Sequence, residues 1–297
     1  MGTLKFNGHG GSSATTSIDA SVAGDMAVTG SALMTFTGNN NTNTGNGWSM
    51  SDTMSFSGSG DLDNGWSVTF SHAIDGGIND SNSIAIDMGD MGKLRFAGTG
   101  ASGNGAVGAW DDVMPAANEE TWHLATGPLT AQTRNDSLIY TNSTMVDGVT
   151  VILNYKPGET TYDSTVGAGI KFTGIEGLDV GVAMEDNNTT DGAVVENTVA
   201  YIKYAMDAFT VGFQANETDS QTASADTEFE AWGVSYAISE DISVSYGSST
   251  VEFEDTSLSD QEANAIGVSW TNVSMSVASS IHDTSHLNTS DAADERS

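Results

Sequence analysis

The sequence predicts an all-β chain folded as an antiparallel, up-and-down transmembrane β-barrel, and three observations predict it. Apolar and polar residues alternate at period two along most of the chain, while no run approaches the roughly 18 apolar residues of a helical span. Short turns alternate with longer connections rich in Asn, Asp, Ser, Thr and Gly, as when hairpins cross a bilayer with short turns at one end and loops at the other. Trp48, Trp66, Trp232 and Trp270, with Tyr140, Tyr155, Tyr204, Tyr236 and Tyr246, stand near strand ends on the apolar parity, where interfacial girdles belong.

Composition agrees. Of 297 residues 38% are hydrophobic, below the share of about half usual for packed globular chains. The 34 glycines suit strands and tight turns, and with only 3 prolines the ladders are left uninterrupted. The absence of Cys decides nothing alone. The 40 acidic residues against 8 basic ones, net charge −32, exclude nucleic acid, whose phosphates nothing could neutralise. Such a balance fits a surface solvated in salty water, attraction of cations, or both.

Residues 1–24 lack a continuous apolar core and do not read as a signal peptide. They stand apart from the barrel, assigned to 25–297, as a segment of unclear status. Met26, Val28, Gly30, Ala32, Met34 and Phe36 share one parity. After a polar loop come Trp48, Met50, Met54 and Phe56, then a turn at Asp61–Gly65 into Trp66, Val68 and Phe70. Another loop precedes Ile84, Ile86 and Met88, and the turn Gly89–Gly92 leads to Leu94 and Phe96. Asp52 takes the lipid-facing parity, which a bulge or a protein-covered surface such as a subunit interface would absorb.

The hairpin 134–155 carries the pattern most plainly: Leu138 and Tyr140, a turn at Met145–Gly148, then Val149, Val151, Leu153 and Tyr155. Val166–Phe172 pairs through Gly174–Gly177 with Leu178–Met184, and Ala200–Tyr204 through Ala205–Ala208 with Phe209–Phe213. Trp232–Tyr236 turns at Ser239–Asp241 into Ile242–Tyr246, and Ile266–Trp270 turns at once into Val273–Val277. The pattern gives 15 strands from Met26 onward.

Residues 98–133 break the period. A loop this long in a regular barrel is functional or disordered. Trp110, Trp122, Pro115 and Pro128 argue for an ordered, packed loop, and Asp111, Asp112, Glu119 and Glu120 lie close together in it.

RNDSLIYTN followed by DGVTVILNY resembles the Arg-x-x-Ser-x-x-Tyr strand and hairpin of Gram-negative general porins of the alphaproteobacterial type. DLDNGWSVTFSHA and SIAIDMGDMGKLRFAG resemble their second-to-fifth strand region, and AWDDVMPAANEETW is similar to the third loop of porin-like proteins from marine members of that group. The likeness runs from about Asp25 to the end in short motifs. It implies a sixteen-stranded, homotrimeric diffusion pore in the outer membrane, with the third loop folded into the lumen. By carry-over Asp111, Asp112, Glu119 and Glu120 would line the constriction; a solvated loop that never enters the lumen is the other reading. Parity places Lys93, Arg95, Lys171 and Lys203 on the lumen side as the opposing basic wall, while Arg134 shares parity with Leu138, leaving its direction open. The family ends in a closing strand with a terminal Phe. This sequence ends in DAADERS, so the expectation is a missing final strand or closure by residues 3–8.

The function so implied is passive passage of small hydrophilic solutes and ions, with cations preferred, in contact with outer-membrane lipid. The rival reading is a secreted or surface β-rich structural protein or adhesin, whose sandwiches would stay soluble without detergent. Gly98-x-Gly100-x-x-Gly103 precedes no helix pattern, so it is no dinucleotide fingerprint. Asp61-x-Asp63-x-Gly65 reads as a hairpin turn rather than a calcium loop. The histidines are scattered, and no nucleophile–base arrangement stands out, so neither enzyme nor cofactor is predicted.

Overall fold

The computed structural model describes residues 26–36, 47–100, 105–118, 120–122, 126–127, 135–158, 162–189, 194–220, 226–255, 257–272 and 275–286. Among the described residues, fifteen strands follow in chain order: β1 (Ala27–Phe36), β2 (Trp48–Asp61), β3 (Ser67–Asp75), β4 (Ile78–Asp87), β5 (Lys93–Thr99), β6 (Ser137–Val146), β7 (Val149–Lys156), β8 (Tyr162–Phe172), β9 (Leu178–Thr189), β10 (Val194–Met206), β11 (Phe209–Ser220), β12 (Thr227–Ala237), β13 (Ile242–Phe253), β14 (Gln261–Asn272) and β15 (Met275–His286). Each strand is hydrogen-bonded to the next in one up-and-down sheet. Residues 1–24 and 287–297, on which the expectations about the leader and the closing strand rest, lie outside the described residues, as do Glu119 and Arg134.

The chain forms two compact units, residues 1–101 with 135–140, and residues 102–134 with 141–297. In the first, Val68, Phe70, Ile84, Ile86, Leu94 and Phe96 pair across β3, β4 and β5 on one face, which puts Lys93 and Arg95 on the other. The Asp61–Gly65 turn closes through Leu62 N–H to the Trp66 carbonyl at 2.7 Å and Trp66 N–H to Asn64 Oδ1 at 3.2 Å. No ion is needed to hold it. The loop expected between β3 and β4 is instead the pair Gly76–Gly77, both at positive φ, because two left-handed residues make the tight hairpin turn that the strand twist favours. Asp52 pairs with Ala32 on β1 in a register that runs unbroken past it, while the β2–β3 ladder begins at Thr53 and Gly76 N–H donates to the Asp52 carbonyl. Its apolar-face position is therefore real, and the bulge that would have turned it away is absent there.

In the second unit the two faces differ sharply. Ile170, Val182, Ile202, Val211, Phe213, Ile266 and Val268 are exposed on one face, whereas Ala183, Val199, Gln214, Ala231, Ser245 and Ala263 are buried on the other. A soluble sandwich would bury the first set; a sheet bathed in lipid exposes it. Strands β9 to β14 run 11–13 residues, longer than the apolar span alone. Asp186, Glu196, Glu217, Glu228 and Glu252 extend these strands where the sequence suggested loops. Backbone ladders continue past the apolar band because their hydrogen bonds need no hydrophobic face. The contrast of short turns and long loops is accordingly weaker than expected, with only 190–193 between β9 and β10.

Gly148 closes the β6–β7 hairpin at φ +71, and a Cβ there would sit 2.5 Å from the Gly174 Cα. Gly148→Ala should destabilise the folded chain by at least about 1 kcal/mol, from left-handed strain and this close backbone, read as a lowered midpoint in urea-dependent unfolding from detergent.

Candidate functional site

The site is the described part of the long segment, residues 105–118, 120–122 and 126–127, together with the face of the second unit on which it lies. Its first part coils into a turn, with Ala109 N–H donating to the Gly105 carbonyl at 3.1 Å and Trp110 N–H to the Val107 carbonyl at 2.8 Å. Ala106, Val107 and Trp110 are buried. From there the segment runs across the sheet, and wall side chains accept hydrogen bonds from its backbone amides. Asn154 Oδ1 (β7) takes Ala106 N–H at 2.8 Å, and Glu185 Oε1 (β9) takes Val107 N–H at 3.1 Å. Gln214 Oε1 (β11) takes Val113 N–H at 3.1 Å, and Ser245 Oγ (β13) takes Ala117 N–H at 2.8 Å. Gln261 Oε1 (β14) takes Thr126 N–H at 2.9 Å.

The pattern answers a physical need. An irregular segment laid on a sheet brings amides that no ladder satisfies, and buried ones left unpaired are costly. Three side-chain amides, one carboxylate and one hydroxyl on the strands satisfy them. Gln214 also donates through Nε2 to the Asp111 carbonyl and to Asn216 Oδ1, the latter at 2.8 Å.

Room for the segment comes from glycine. Gly212, Gly233 and Gly247 are direct cross-strand partners on β11, β12 and β13. A Cβ on Gly212 would meet Pro115 Cδ at 2.7 Å, one on Gly233 the Pro115 carbonyl oxygen at 2.8 Å, and one on Gly247 Thr121 Cγ2 at 2.7 Å. The three form a flat shelf along which Met114–Thr121 lies. Beside it Met114 packs with Phe229, Ala231 and Val251, bordered by Val113, Trp122 and Phe253. The Trp122 and Phe229 rings meet edge to face at 5.2 Å, a favoured aromatic geometry.

The expected acids fall as follows. Asp111 is half-buried and Asp112 exposed, while Glu120 is half-buried. Asp111 is pushed up to about 7, first by burial, then by the neighbouring Asp112 charge and also by Glu185. Of the expected bases in this unit, Lys171 and Lys203 stand opposite the apolar face and both reach Asp179 Oδ2 at 3.9 Å. Asp179 also accepts a hydrogen bond from Tyr201 OH at 2.8 Å. Two ammonium groups thus share one carboxylate, which offsets part of the basic wall. Lys93 and Arg95 belong to the other unit.

Sequence reasoning missed Asn154, Glu185, Gln214, Ser245 and Gln261, and read the glycines only as turn and strand residues. One signal was available: Gly212, Gly233 and Gly247 recur in three successive strands on the parity opposite the apolar one. Among the described residues, no group of three metal-ligating side chains gathers.

The model of Gram-negative porins matches residues 11–275. A search of curated proteins finds no match. Among solved structures, a porin refined at 1.8 Å resolution is similar at 15% identity and a TM-score of 0.66, over 89% of this chain and 96% of that one. An anion-selective porin from Comamonas acidovorans is similar at 12% identity and a TM-score of 0.62, over 89% and 90%. OmpT expressed in the outer membrane of Vibrio cholerae is similar at 13% identity and a TM-score of 0.62, over 91% and 90%.

Proposed function

The chain belongs to the Gram-negative porins, proteins of the outer membrane, and from that premise we propose that it is a cation-preferring diffusion pore for small hydrophilic solutes, working as a homotrimer. Porins are channels rather than enzymes. The observation that carries the reading is the acid-bearing segment pinned along the polar face while the opposite face is apolar and exposed. Water and solutes pass on the polar side, and the pinned segment narrows the way.

Charge then sets preference. Asp111, Asp112, Glu119 and Glu120 line the constriction in this reading, with Lys93, Arg95, Lys171 and Lys203 as the basic wall. The wall is weak, because Lys171 and Lys203 share Asp179, and the chain as a whole carries −32. Fields of one sign in a low-dielectric channel concentrate counter-ions. The anion-selective relative shows that the fold alone does not choose the sign.

The test is purified protein in a planar bilayer with a salt gradient. Current steps should appear in groups of three, with a reversal potential of the sign for cation preference. Asp111→Asn, Asp112→Asn, Glu119→Gln and Glu120→Gln together should move that potential most of the way to zero. An unchanged potential would remove these acids from the constriction, and protein soluble and silent without detergent would favour a surface structural role.

A further inference from the structure

On the exposed apolar face of the second unit, two adjoining cross-strand rows pass over β9, β10 and β11. One carries Val180, Ile202 and Phe213; the next carries Val182, Ala200 and Ala215. The first row is bulky throughout, whereas the second shrinks to alanine on β10 and β11. The dip between them is an apolar groove of about 440 Å³, a volume in the range that takes a small apolar ligand. Its floor is Ala200 and Ala215, walled by Val182, Ile202 and Phe213.

Beside the groove the same face turns acidic. Glu217 follows Ala215 two residues along β11, and Glu230 of β12 is the direct partner of Ala215. Glu228 pairs in turn with Glu217. All three carboxylates are exposed. Like charges directly opposite each other destabilise a sheet, and a cation between them reverses the sign. The strands supply none on this face: the basic residues of β8 to β12 are Lys171 and Lys203, which stand on the polar face and reach Asp179. Glu217 lies farther from the β10–β11 turn than Ala215 does, so the groove leads from the apolar belt towards the water at the other end of the strands.

We propose that the groove seats an acyl chain of an amine-bearing membrane lipid, with the ammonium of its headgroup against Glu217, Glu228 and Glu230. An anionic headgroup is repelled at this rim, whereas an ammonium meets carboxylates where its own chain enters the groove. The inference rests on the porin reading and adds to it a lipid held at one place on the wall.

Native mass spectrometry of the protein in mild detergent with EDTA reads the binding, using phosphatidylethanolamine or phosphatidylglycerol with the same chains. The unaltered chain should retain phosphatidylethanolamine and prefer it by about tenfold, the worth of one charge-assisted contact. Glu217→Gln, Glu228→Gln and Glu230→Gln together should bring the two lipids level. Ala200→Leu with Ala215→Leu should fill the groove and lose the retained lipid. Equal retention of both lipids by the unaltered chain would overturn the headgroup assignment. A preference for phosphatidylglycerol once calcium replaces EDTA would overturn it too, in favour of anionic lipid bridged by cations. Undiminished retention in the double leucine variant would overturn the groove. All variants should still conduct in a bilayer, which shows that they fold. Any of these failures in conducting protein leaves the porin reading intact, whereas an unaltered chain that never conducts would sink that reading and the lipid site with it.

Discussion

Valine at both Gly212 and Gly233 lifts the pinned segment from the sheet and widens the pore, and single-channel conductance should rise with frequent noisy transitions. The two glycines face each other across β11 and β12, and both lie under Pro115. At Gly233 the obstacle is the Pro115 carbonyl oxygen, 2.8 Å from where the Cβ would sit. A flexible side chain could swing aside; a backbone carbonyl moves only if the segment moves. Overpacking of this kind costs about 1–3 kcal/mol per site, and the two sites couple because they share one obstacle. Against that stand the hydrogen bonds that Gln214 and Ser245 accept from Val113 and Ala117 N–H, each worth about 0.5–1.5 kcal/mol net. The part of the segment between Ala106, held by Asn154, and Thr126, held by Gln261, should therefore detach while the ladders of β11 and β12 persist. Protease cleavage confined to 113–121, in protein still folded by circular dichroism, would accompany the change in conductance. Unaltered conductance with the segment still protected would mean that the shelf does not set its position.

Cation preference should fall as pH drops from 8 to 6, with a midpoint near 7. Asp111 is held at about 7 by burial, with Asp112 and Glu185 adding in the same direction. Above that value it is ionised and attracts cations; below it is neutral, and the local negative charge falls by one. Asp111→Asn should show at pH 8 the reversal potential that the unaltered protein shows at pH 6, and should flatten the pH dependence. The same shift has a sign for stability. A carboxyl raised above its unfolded value costs nothing below the usual carboxylate range, where both states are protonated. The cost grows as pH rises and is complete above about 7. Docking of the segment should therefore be tightest in acid, and Asp111→Asn should remove this dependence too. A pH response unchanged in Asp111→Asn would assign the titration to another group.

Period-two alternation was enough to predict the fold class, the 15 strands and the turns at Asp61–Gly65 and Gly89–Gly92, while the turn expected at Met145–Gly148 is shorter because β6 continues through Val146. A strand exposes its two faces on alternate residues, so an apolar row such as Val166, Ala168 and Ile170 is visible without coordinates. The same alternation put Asp52 on the apolar face, Lys171 and Lys203 on the other, and pointed to 98–133 as the segment that departs from the sheet. Strand ends were less legible, because Asp186 or Glu217 suits a wet ladder as well as a loop. Tertiary structure alone decided how the described part of the long segment, from 105 to 127, is held. Asn154, Glu185, Gln214, Ser245 and Gln261 are far apart in sequence. They become one row of acceptors only when register sets their strands side by side. Gly212, Gly233 and Gly247 likewise form a shelf only across three strands. Periodicity within a strand is a local property that the sequence records, whereas alignment between strands and the fit of a loop upon them are pairwise properties that exist only once the chain has folded.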